Sequence, residues 1–362
     1  MSHSRTPTPS STDSHRPQLD TLRFVAFVGV FFFHLNESQY AYGELGVRLF
    51  FVLSGFLITR LLMRNQTDSL GHDLGVFYAR RTLRIFPLYY ATLVVLLLLD
   101  RLPTPMWYFT YLMNYDFFFT NVWPGRTVHF WSLCVEEQFY LLYPVILLIW
   151  PRRFRLGLLV ALWLGSFIFR VVLLYLSKQN SDIEWRDYLL LPVSGEYLLW
   201  GALAAWADLY FGERKLPALR LLLLGCVLHA FASVDQYGTR LLNRLGLDFL
   251  HQTGQGIGFA LVILGLWRIE PGSVRWLFTR PPSVYLGKIS YGLYVFHNLL
   301  YAIKPAILPY LPLLAVVPAF VVTFFATVGL AIVSWHLFEG PINALKSYFP
   351  YNREASKAPA TS

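Results

Sequence analysis

The chain of 362 residues is 56% hydrophobic and only 14% charged, whereas a soluble domain is usually about 45–50% apolar and about a quarter charged. This excess of apolar residues excludes a water-soluble globular domain and predicts a polytopic membrane protein that contacts lipid on most sides. The formal net charge of +9 would suggest nucleic-acid binding in a soluble protein, but here the cations lie in short loops between apolar segments, where they orient the spans. We therefore predict no nucleic-acid partner.

Ten segments of the sequence are apolar enough to be transmembrane helices, each of which needs about 20 mostly apolar residues to cross a bilayer. We predict an all-α fold, a polytopic integral membrane bundle of about ten transmembrane helices. The aromatic stretch 107–119 is too short and too polar for an eleventh span, so we expect it to lie at the interface or to re-enter the membrane. The predicted spans are 19–35, 45–63, 84–101, 132–150, 156–176, 188–209, 216–233, 254–269, 283–303 and 311–338.

Basic residues are concentrated in every second loop between these spans. An even number of spans places both termini on one side, and the positive-inside rule assigns that side to the cytosol. We predict a cytosolic tail at 1–18, a transmembrane domain at 19–341 and a second cytosolic tail at 342–362. The basic residues of these loops are Arg60, Arg64, Arg80, Arg81, Arg152, Arg153, Arg155, Arg214, Lys215, Arg220, Arg268, Arg275 and Arg280.

The first span contains two ionisable groups, Arg23 and His34, although each such group costs about 2.5–3.5 kcal/mol to insert into a membrane. Eleven residues separate them, and eleven helical steps of about 100° return to nearly the same face, ~16 Å further along the axis. One stripe of this helix is therefore predicted to carry an arginine near the cytosol and an imidazole in the outer half. An interfacial anchor combined with a core histidine is the open alternative.

The second and third spans add small residues and a pair of guanidinium groups. Ser54 and Gly55 form a surface where a ligand can enter, and close helix packing explains the pair equally well. Arg81 and Arg84 lie one turn apart on one face, a geometry that suits phosphate and pyrophosphate. Positive-inside anchoring predicts some arginine here but not this pair, so we favour phosphate binding.

Adjacent carboxylates, Glu136 and Glu137, open the fourth span. Their side chains point about 100° apart on a helix, so at most one faces the bundle squarely. A glutamate beside His34 would orient the imidazole and stabilise its charged form. A structural ion pair with Arg23 or Arg170 is the alternative.

Later spans contain Glu196 in the sixth and His297 in the ninth. Glu196 is a functional candidate because it is ionisable within a span. His297 is a candidate second base, but a hydrogen bond between helices is the favoured role. No group of residues has the spacing of metal ligands, so we predict no metal.

Six segments, taken together, resemble the membrane-bound acyltransferase family 3, which contains bacterial polysaccharide and sugar O-acyltransferases. They occur in the order typical of the family and span about 320 residues of this chain. The segments are LDTLRFVAFVGVFFFHL (19–35), GVRLFFVLSGFLIT (46–59), FYARRTLRIFPLYY (77–90), WSLCVEEQFYLLYP (131–144), ISYGLYVFHN (289–298) and FEGP (338–341).

This resemblance implies an enzyme of the bacterial inner membrane that takes an acyl group, usually acetyl, from cytosolic acyl-coenzyme A. The acceptor would be a hydroxyl of a glycan or lipid-linked sugar. The position of Arg48 is often acidic in relatives, which puts the acceptor preference of this chain in doubt. The family motifs assign catalytic roles to His34, Glu136 and Arg23, and we expect donor binding by Arg81, Arg84, Ser54 and Tyr291.

The expected mechanism places the imidazole and the guanidinium groups in one cavity. His34 would act as general base on the acceptor hydroxyl, or carry the acyl group transiently, and Glu136 would orient it. A transporter or flippase for a polar solute is the chief alternative, since buried Arg, His and Glu also line transport pathways. The absence of a fixed-period repeat in the sequence argues against the transporter alternative. A catalytically silent scaffold is a third interpretation.

Overall fold

The computed structural model describes residues 16–35, 44–177, 186–212, 217–270, 274–301, 303–311 and 317–351, and these ranges contain helices and no β-strand. Most of the tails predicted at 1–18 and 342–362, namely residues 1–15 and 352–362, and the loop cations Arg214 and Lys215 lie outside them. The α-helices are α1 (Pro17–Leu35), α2 (Glu44–Arg64), α3 (Leu70–Leu98), α4 (Pro105–Phe109), α5 (Met113–Thr120), α6 (Phe130–Ile149), α7 (Arg155–Ser177), α8 (Leu191–Tyr210), α9 (Ala218–Val234), α10 (Leu241–Arg244), α11 (Leu250–Arg268), α12 (Pro281–Lys288), α13 (Ser290–Phe296), α14 (Ile303–Ile307), α15 (Ala319–Ser334) and α16 (Gly340–Ala344).

Five helical segments of the described ranges are long and apolar enough to cross a membrane, which supports a multi-pass membrane protein. The all-α prediction is confirmed. The count of about ten spans and the cytosolic position of both termini stay predictions. The five segments are Glu44–Arg64, Leu70–Leu98, Gly125–Ile149, Arg152–Leu176 and Ala319–Tyr348.

Three predicted spans differ in extent from the helices. The span predicted at 84–101 is the second half of α3, which begins at Leu70, because its arginine-rich first half is helical without being apolar. The span predicted at 283–303 is divided between α12 and α13, which are separated at Ile289. The described helix of the last span, α15, starts only after Pro318. The aromatic stretch 107–119 lies on the short helices α4 and α5.

Helices α2 and α8 approach each other through glycine. A Cβ atom at Gly55 would lie 1.8 Å from the carbonyl oxygen of Leu198, and one at Gly201 would lie 1.9 Å from the carbonyl oxygen of Val52. Two backbones can come this close only where both side chains are missing. The small-residue surface predicted at Ser54 and Gly55 is therefore divided, with Gly55 facing α8.

A fully buried ion pair joins α7 to α8. The Nε atom of Arg170 donates to Oε2 of Glu196 at 2.8 Å, and the other carboxylate oxygen accepts from Thr253 of α11 at 2.5 Å. The arginine also donates to the carbonyl oxygen of Phe249 at 2.9 Å. Both charges are therefore matched inside the bundle, so the contacts of Glu196 are those of a structural residue, and Arg170 pairs with it rather than with Glu136.

Replacing Gly201 with alanine should destabilise the protein, because the added methyl group would force α2 and α8 apart. We expect a loss of about 1–3 kcal/mol, the usual cost of overpacking, measured as a lower midpoint of thermal unfolding in detergent. The matched control is Gly165→Ala in α7, where an added Cβ meets no atom within 4 Å. Equal midpoints for the two variants would contradict the close approach of α2 and α8.

Replacing Glu196 with alanine should leave the guanidinium of Arg170 buried without its counter-ion, at a cost of about 3–5 kcal/mol. The double variant Arg170→Met/Glu196→Met should be more stable than Glu196→Ala, because no uncompensated charge remains. Thermal unfolding of the purified variants tests both expectations. A double variant no more stable than the single one would show that the ion pair is not the source of the loss.

Candidate functional site

A cavity of about 100 Å³ lies where α1, α2, α3, α6 and α13 meet. Three guanidinium groups and one carboxylate line it, together with serine and tyrosine hydroxyls, so its polar lining carries more positive than negative groups. Apolar side chains complete the wall. The polar lining residues are Arg23, Ser54, Arg81, Arg84, Ser132, Glu136, Tyr140, Ser290, Tyr291 and Tyr294.

The three arginines reach the cavity from two helices. Arg81 and Arg84 are one turn apart on α3, as the sequence spacing predicts, and Arg23 faces them from α1. The guanidinium of Arg81 lies over the ring of Tyr140, 4.9 Å from its centroid. Arg84 donates to the carbonyl oxygen of Lys288 at 2.9 Å, which fixes the guanidinium beside α12. Three guanidinium groups at one cavity are an arrangement that suits an anion.

The carboxylate of Glu136 is held by two hydroxyl groups. Ser54 of α2 donates to Oε1 at 2.8 Å, and the Tyr140 hydroxyl lies 3.1 Å from Oε2 and 3.0 Å from the Ser54 oxygen. Ser132, Glu136 and Tyr140 follow one another at intervals of four residues, which places them on one face of α6. This spacing is visible in the sequence, and it would have added Ser132 and Tyr140 to the predicted site.

Glu137 does not line the cavity, as expected for carboxylates that point about 100° apart. Its Oε1 atom is buried, and the described residues offer it no hydrogen-bond partner. Tyr291, by contrast, lines the cavity and donates its hydroxyl to the carbonyl oxygen of Ile85 at 2.8 Å, which ties α13 to α3.

His34 does not line this cavity. It lies in a cluster of three imidazoles, 4.9 Å from the ring of His297 and 6.3 Å from that of His129, between ring centroids. The rings of His129 and His297 are 4.8 Å apart, and both residues are almost completely buried. We call these three residues the histidine cluster.

Tyr294 stands between the cavity and the histidine cluster. Its side chain lines the cavity, and its ring centroid lies 5.4 Å from that of His297. The Tyr294 hydroxyl contacts the Ser132 oxygen at 2.5 Å and donates to the carbonyl oxygen of His129 at 3.1 Å. The cavity and the cluster are therefore neighbours along α13, with one packed tyrosine dividing them.

The structure brings six of the seven predicted site residues to one cavity and leaves out His34. The expectation that the imidazole and the guanidinium groups share one cavity is therefore wrong for this conformation, because His34 contacts His297, His297 packs against Tyr294, and of these three residues only the tyrosine lines the cavity. The expected contact of Glu136 with His34 is also absent from the described contacts, since the hydrogen bonds of the carboxylate go to hydroxyl groups inside the cavity. The six residues are Arg23, Ser54, Arg81, Arg84, Glu136 and Tyr291.

The prediction that Arg23 and His34 share one stripe of α1 agrees with their surroundings. Arg23 lines the cavity, to which α13 also contributes, and His34 contacts His297 at the end of α13. His297 forms a hydrogen bond between helices, the role that the sequence favoured. His129 was missed, because a single histidine before an apolar run carries no sequence signal. No group of three or more His, Cys, Asp or Glu side chains in the described ranges could hold a metal ion.

Comparison with known proteins adds independent information. Residues 16–336 match the model of a family described as an acyltransferase domain, the acyltransferase family 3. A protein of Staphylococcus aureus (strain MSSA476) named "Putative O-acetyltransferase" is 30% identical over 311 residues, which are 78% of this chain and 50% of that protein.

Two further relatives carry more specific names. The "Peptidoglycan O-acetyltransferase OatA" of Listeria monocytogenes is 34% identical over 169 residues, 41% of this chain and 27% of the relative. The "O-acetyltransferase OatA" of Staphylococcus aureus (strain NCTC 8325) is 27% identical over 333 residues, 78% of this chain and 50% of the relative. The chain thus spans about half the length of the curated relatives that it matches over most of its residues. No solved structure has significant similarity to it.

Proposed function

Because this chain belongs to the acyltransferase family whose model matches residues 16–336, we propose that it is a membrane-embedded O-acyltransferase of the bacterial inner membrane. It transfers an acyl group, with acetyl favoured, from cytosolic acyl-coenzyme A to a hydroxyl of a glycan or lipid-linked sugar. The relative named as a peptidoglycan O-acetyltransferase supports a glycan acceptor. The observation that carries the proposal is the cavity in which three arginines face one another inside an apolar bundle.

Acyl-coenzyme A, the donor of the acyl group, is held through its phosphate groups at the mouth of the cavity. The guanidinium groups of Arg81, Arg84 and Arg23 offer hydrogen-bond donors that match phosphate oxygens. Lys346, near the C-terminal end of the described residues, lies close enough to interact electrostatically with these guanidinium groups. A cavity of about 100 Å³ is too small for a whole coenzyme, because sites for drug-sized ligands measure about 300–1,000 Å³. The nucleotide therefore stays outside, and the thioester arm enters past Ser54 and Tyr291.

The chemistry is transfer of an acyl group from sulfur to oxygen. His34 takes the proton of the acceptor hydroxyl, whose oxygen attacks the thioester carbonyl carbon. The carbon–sulfur bond breaks, and the proton passes to the leaving sulfur of coenzyme A. Glu136 acts in the donor cavity, where its charge balances the guanidinium groups, rather than on the imidazole.

The thioester reaches His34 only when the side chain of Tyr294 moves. In the present conformation the tyrosine closes the inner end of the donor cavity, which keeps the acyl group from water until the acceptor arrives. Such a rotation breaks the contacts of the Tyr294 hydroxyl with Ser132 and with the carbonyl oxygen of His129. We propose this rotation as the step that follows donor binding.

Replacing Arg81 with alanine should weaken the binding of acetyl-coenzyme A, because a charge-assisted phosphate contact is lost. We expect the dissociation constant to rise about 10- to 100-fold, corresponding to about 1.5–3 kcal/mol, measured by equilibrium dialysis with radiolabelled acetyl-coenzyme A. The control is Arg153→Ala, which removes an exposed arginine that does not line the cavity. Unchanged affinity in Arg81→Ala would remove the donor site from this cavity.

Replacing His34 with alanine should abolish transfer while the protein still inserts and still binds acetyl-coenzyme A. We expect the acetate that mild alkali releases from the envelope glycans of expressing cells to fall at least about 100-fold, at equal amounts of membrane-inserted protein. Normal release would exclude His34 from the chemistry.

Rapid-quench labelling separates the two catalytic routes, since acid-labile label on His34 forms only if the imidazole carries the acyl group. A transporter would bind or move solute without consuming acetyl-coenzyme A.

A further inference from the structure

The histidine cluster determines which nitrogen of His34 carries the proton. We infer that His297 is a positioning residue that accepts a hydrogen bond from the protonated Nδ1 of His34 and sets the direction of its ring, which leaves Nε2 as the atom that accepts the proton from the acceptor hydroxyl. This inference rests on the proposed function for its catalytic meaning, whereas the protonated atom itself follows from hydrogen-bond geometry alone.

The first step concerns the ring of His297. Its Nδ1 atom lies 2.6 Å from the carbonyl oxygen of Tyr294. A carbonyl oxygen only accepts hydrogen bonds, so Nδ1 must carry a proton. The ring is buried between two other imidazoles, and the described residues place no carboxylate in contact with it. Because a charged ring there would lack a counter-ion, His297 is neutral and its Nε2 atom is an acceptor.

The second step concerns the ring of His34. Its Nδ1 atom lies 3.0 Å from the carbonyl oxygen of Val30 and 3.3 Å from Nε2 of His297. Both partners are acceptors, so Nδ1 of His34 must be the donor to both. A neutral imidazole carries one N–H, and Nε2 of His34 is therefore the unprotonated nitrogen.

Val30 and His297 do not contribute equally to this arrangement. Within α1 the carbonyl of Val30 also accepts the backbone N–H four residues further on, and it belongs to the same helix as the imidazole. His297 is the acceptor that comes from another helix, α13, and its own orientation is locked by the carbonyl of Tyr294. It therefore sets the direction of the His34 ring relative to the neighbouring donor cavity.

The consequence for the reaction is a base with a defined reactive atom. When Nε2 of His34 takes the hydroxyl proton, the ring becomes an imidazolium whose Nδ1–H still donates to His297. The neutral imidazole thus stabilises the transient positive charge, the role that an acidic residue plays in many hydrolases. The contacts of this chain give that role to His297 and not to Glu136.

His129 provides a matched control, because it is equally buried and packs against the same rings. Its Nε2 atom lies 3.1 Å from the carbonyl oxygen of Val295, which ties the start of α6 to α13. The described contacts include no hydrogen bond between His129 and either of the other two imidazoles. Its replacement removes the same volume and one backbone hydrogen bond without touching Nδ1 of His34.

The decisive measurement is solid-state NMR of the full chain in lipid, with histidines labelled with ¹⁵N. The signal of His34, identified by its loss in His34→Gln, should show Nδ1 protonated and Nε2 free. In His297→Leu the Nδ1–H signal of His34 should shift, because one of its two acceptors is lost and only the carbonyl of Val30 remains, whereas His129→Leu should leave the His34 signal unchanged. Protonation at Nε2 in the unmodified protein would overturn the inference, whatever the activity.

Transfer assays test the catalytic consequence. His297→Leu should lower the alkali-released envelope acetate about tenfold, at equal protein, with the dissociation constant for acetyl-coenzyme A changed by less than about twofold. His297→Gln, whose amide oxygen can accept from His34, should recover much of the loss, and His129→Leu should retain most of the activity. Equal losses in His297→Leu and His129→Leu would reduce His297 to a packing residue. Full activity in His34→Ala would instead refute the proposed base and leave the NMR result standing.

Discussion

The cost of an unmatched ionisable group inside an apolar bundle governs this structure. An ionisable group within a span is costly unless it finds a partner or faces a polar cavity. Arg170 and Glu196 solve the problem by pairing with each other. The arginines of α1 and α3 line a cavity instead, and none of the described ion pairs joins them to a carboxylate. Charges that line a cavity, unlike those of a closed ion pair, can meet a ligand.

The interface of α1 and α13 organises the site at two levels. Arg23 and Tyr291 both line the cavity, and His34 contacts His297 in the histidine cluster. Tyr294 lies between these levels and is bonded to Ser132. The proposed reaction has to keep a reactive thioester from water and then expose it to an acceptor, and two neighbouring compartments would satisfy both needs. The arrangement also explains why Glu136, although it lies in the site, does not touch the imidazole.

Contacts between histidines have a further meaning in a membrane protein. An acidic residue next to His34 would need its own counter-ion in the apolar bundle, whereas a neutral imidazole needs only hydrogen bonds. His297 receives one from His34 and gives one to the carbonyl of Tyr294. The proposed base is therefore oriented without another permanent charge beside the cavity.

Much of this protein follows from the sequence by itself. The apolar composition determined the membrane class and the all-α fold, and the motifs determined the family together with six side chains that meet in one cavity. Helical periodicity placed Arg81 beside Arg84 and directed Glu137 away from the cavity, because one helix fixes the directions of its own side chains.

The contacts between side chains of different helices were decided only by the tertiary structure. The start of α3 was missed because its first half, which contains Arg80 and Arg81, is not apolar. Nothing in the order of residues along the chain reveals that Tyr294 lies between the cavity and the histidine cluster, or that His34 packs beside His129 and His297. Such contacts depend on the register and rotation of several helices packed together, and the periodicity of a single segment cannot reveal them.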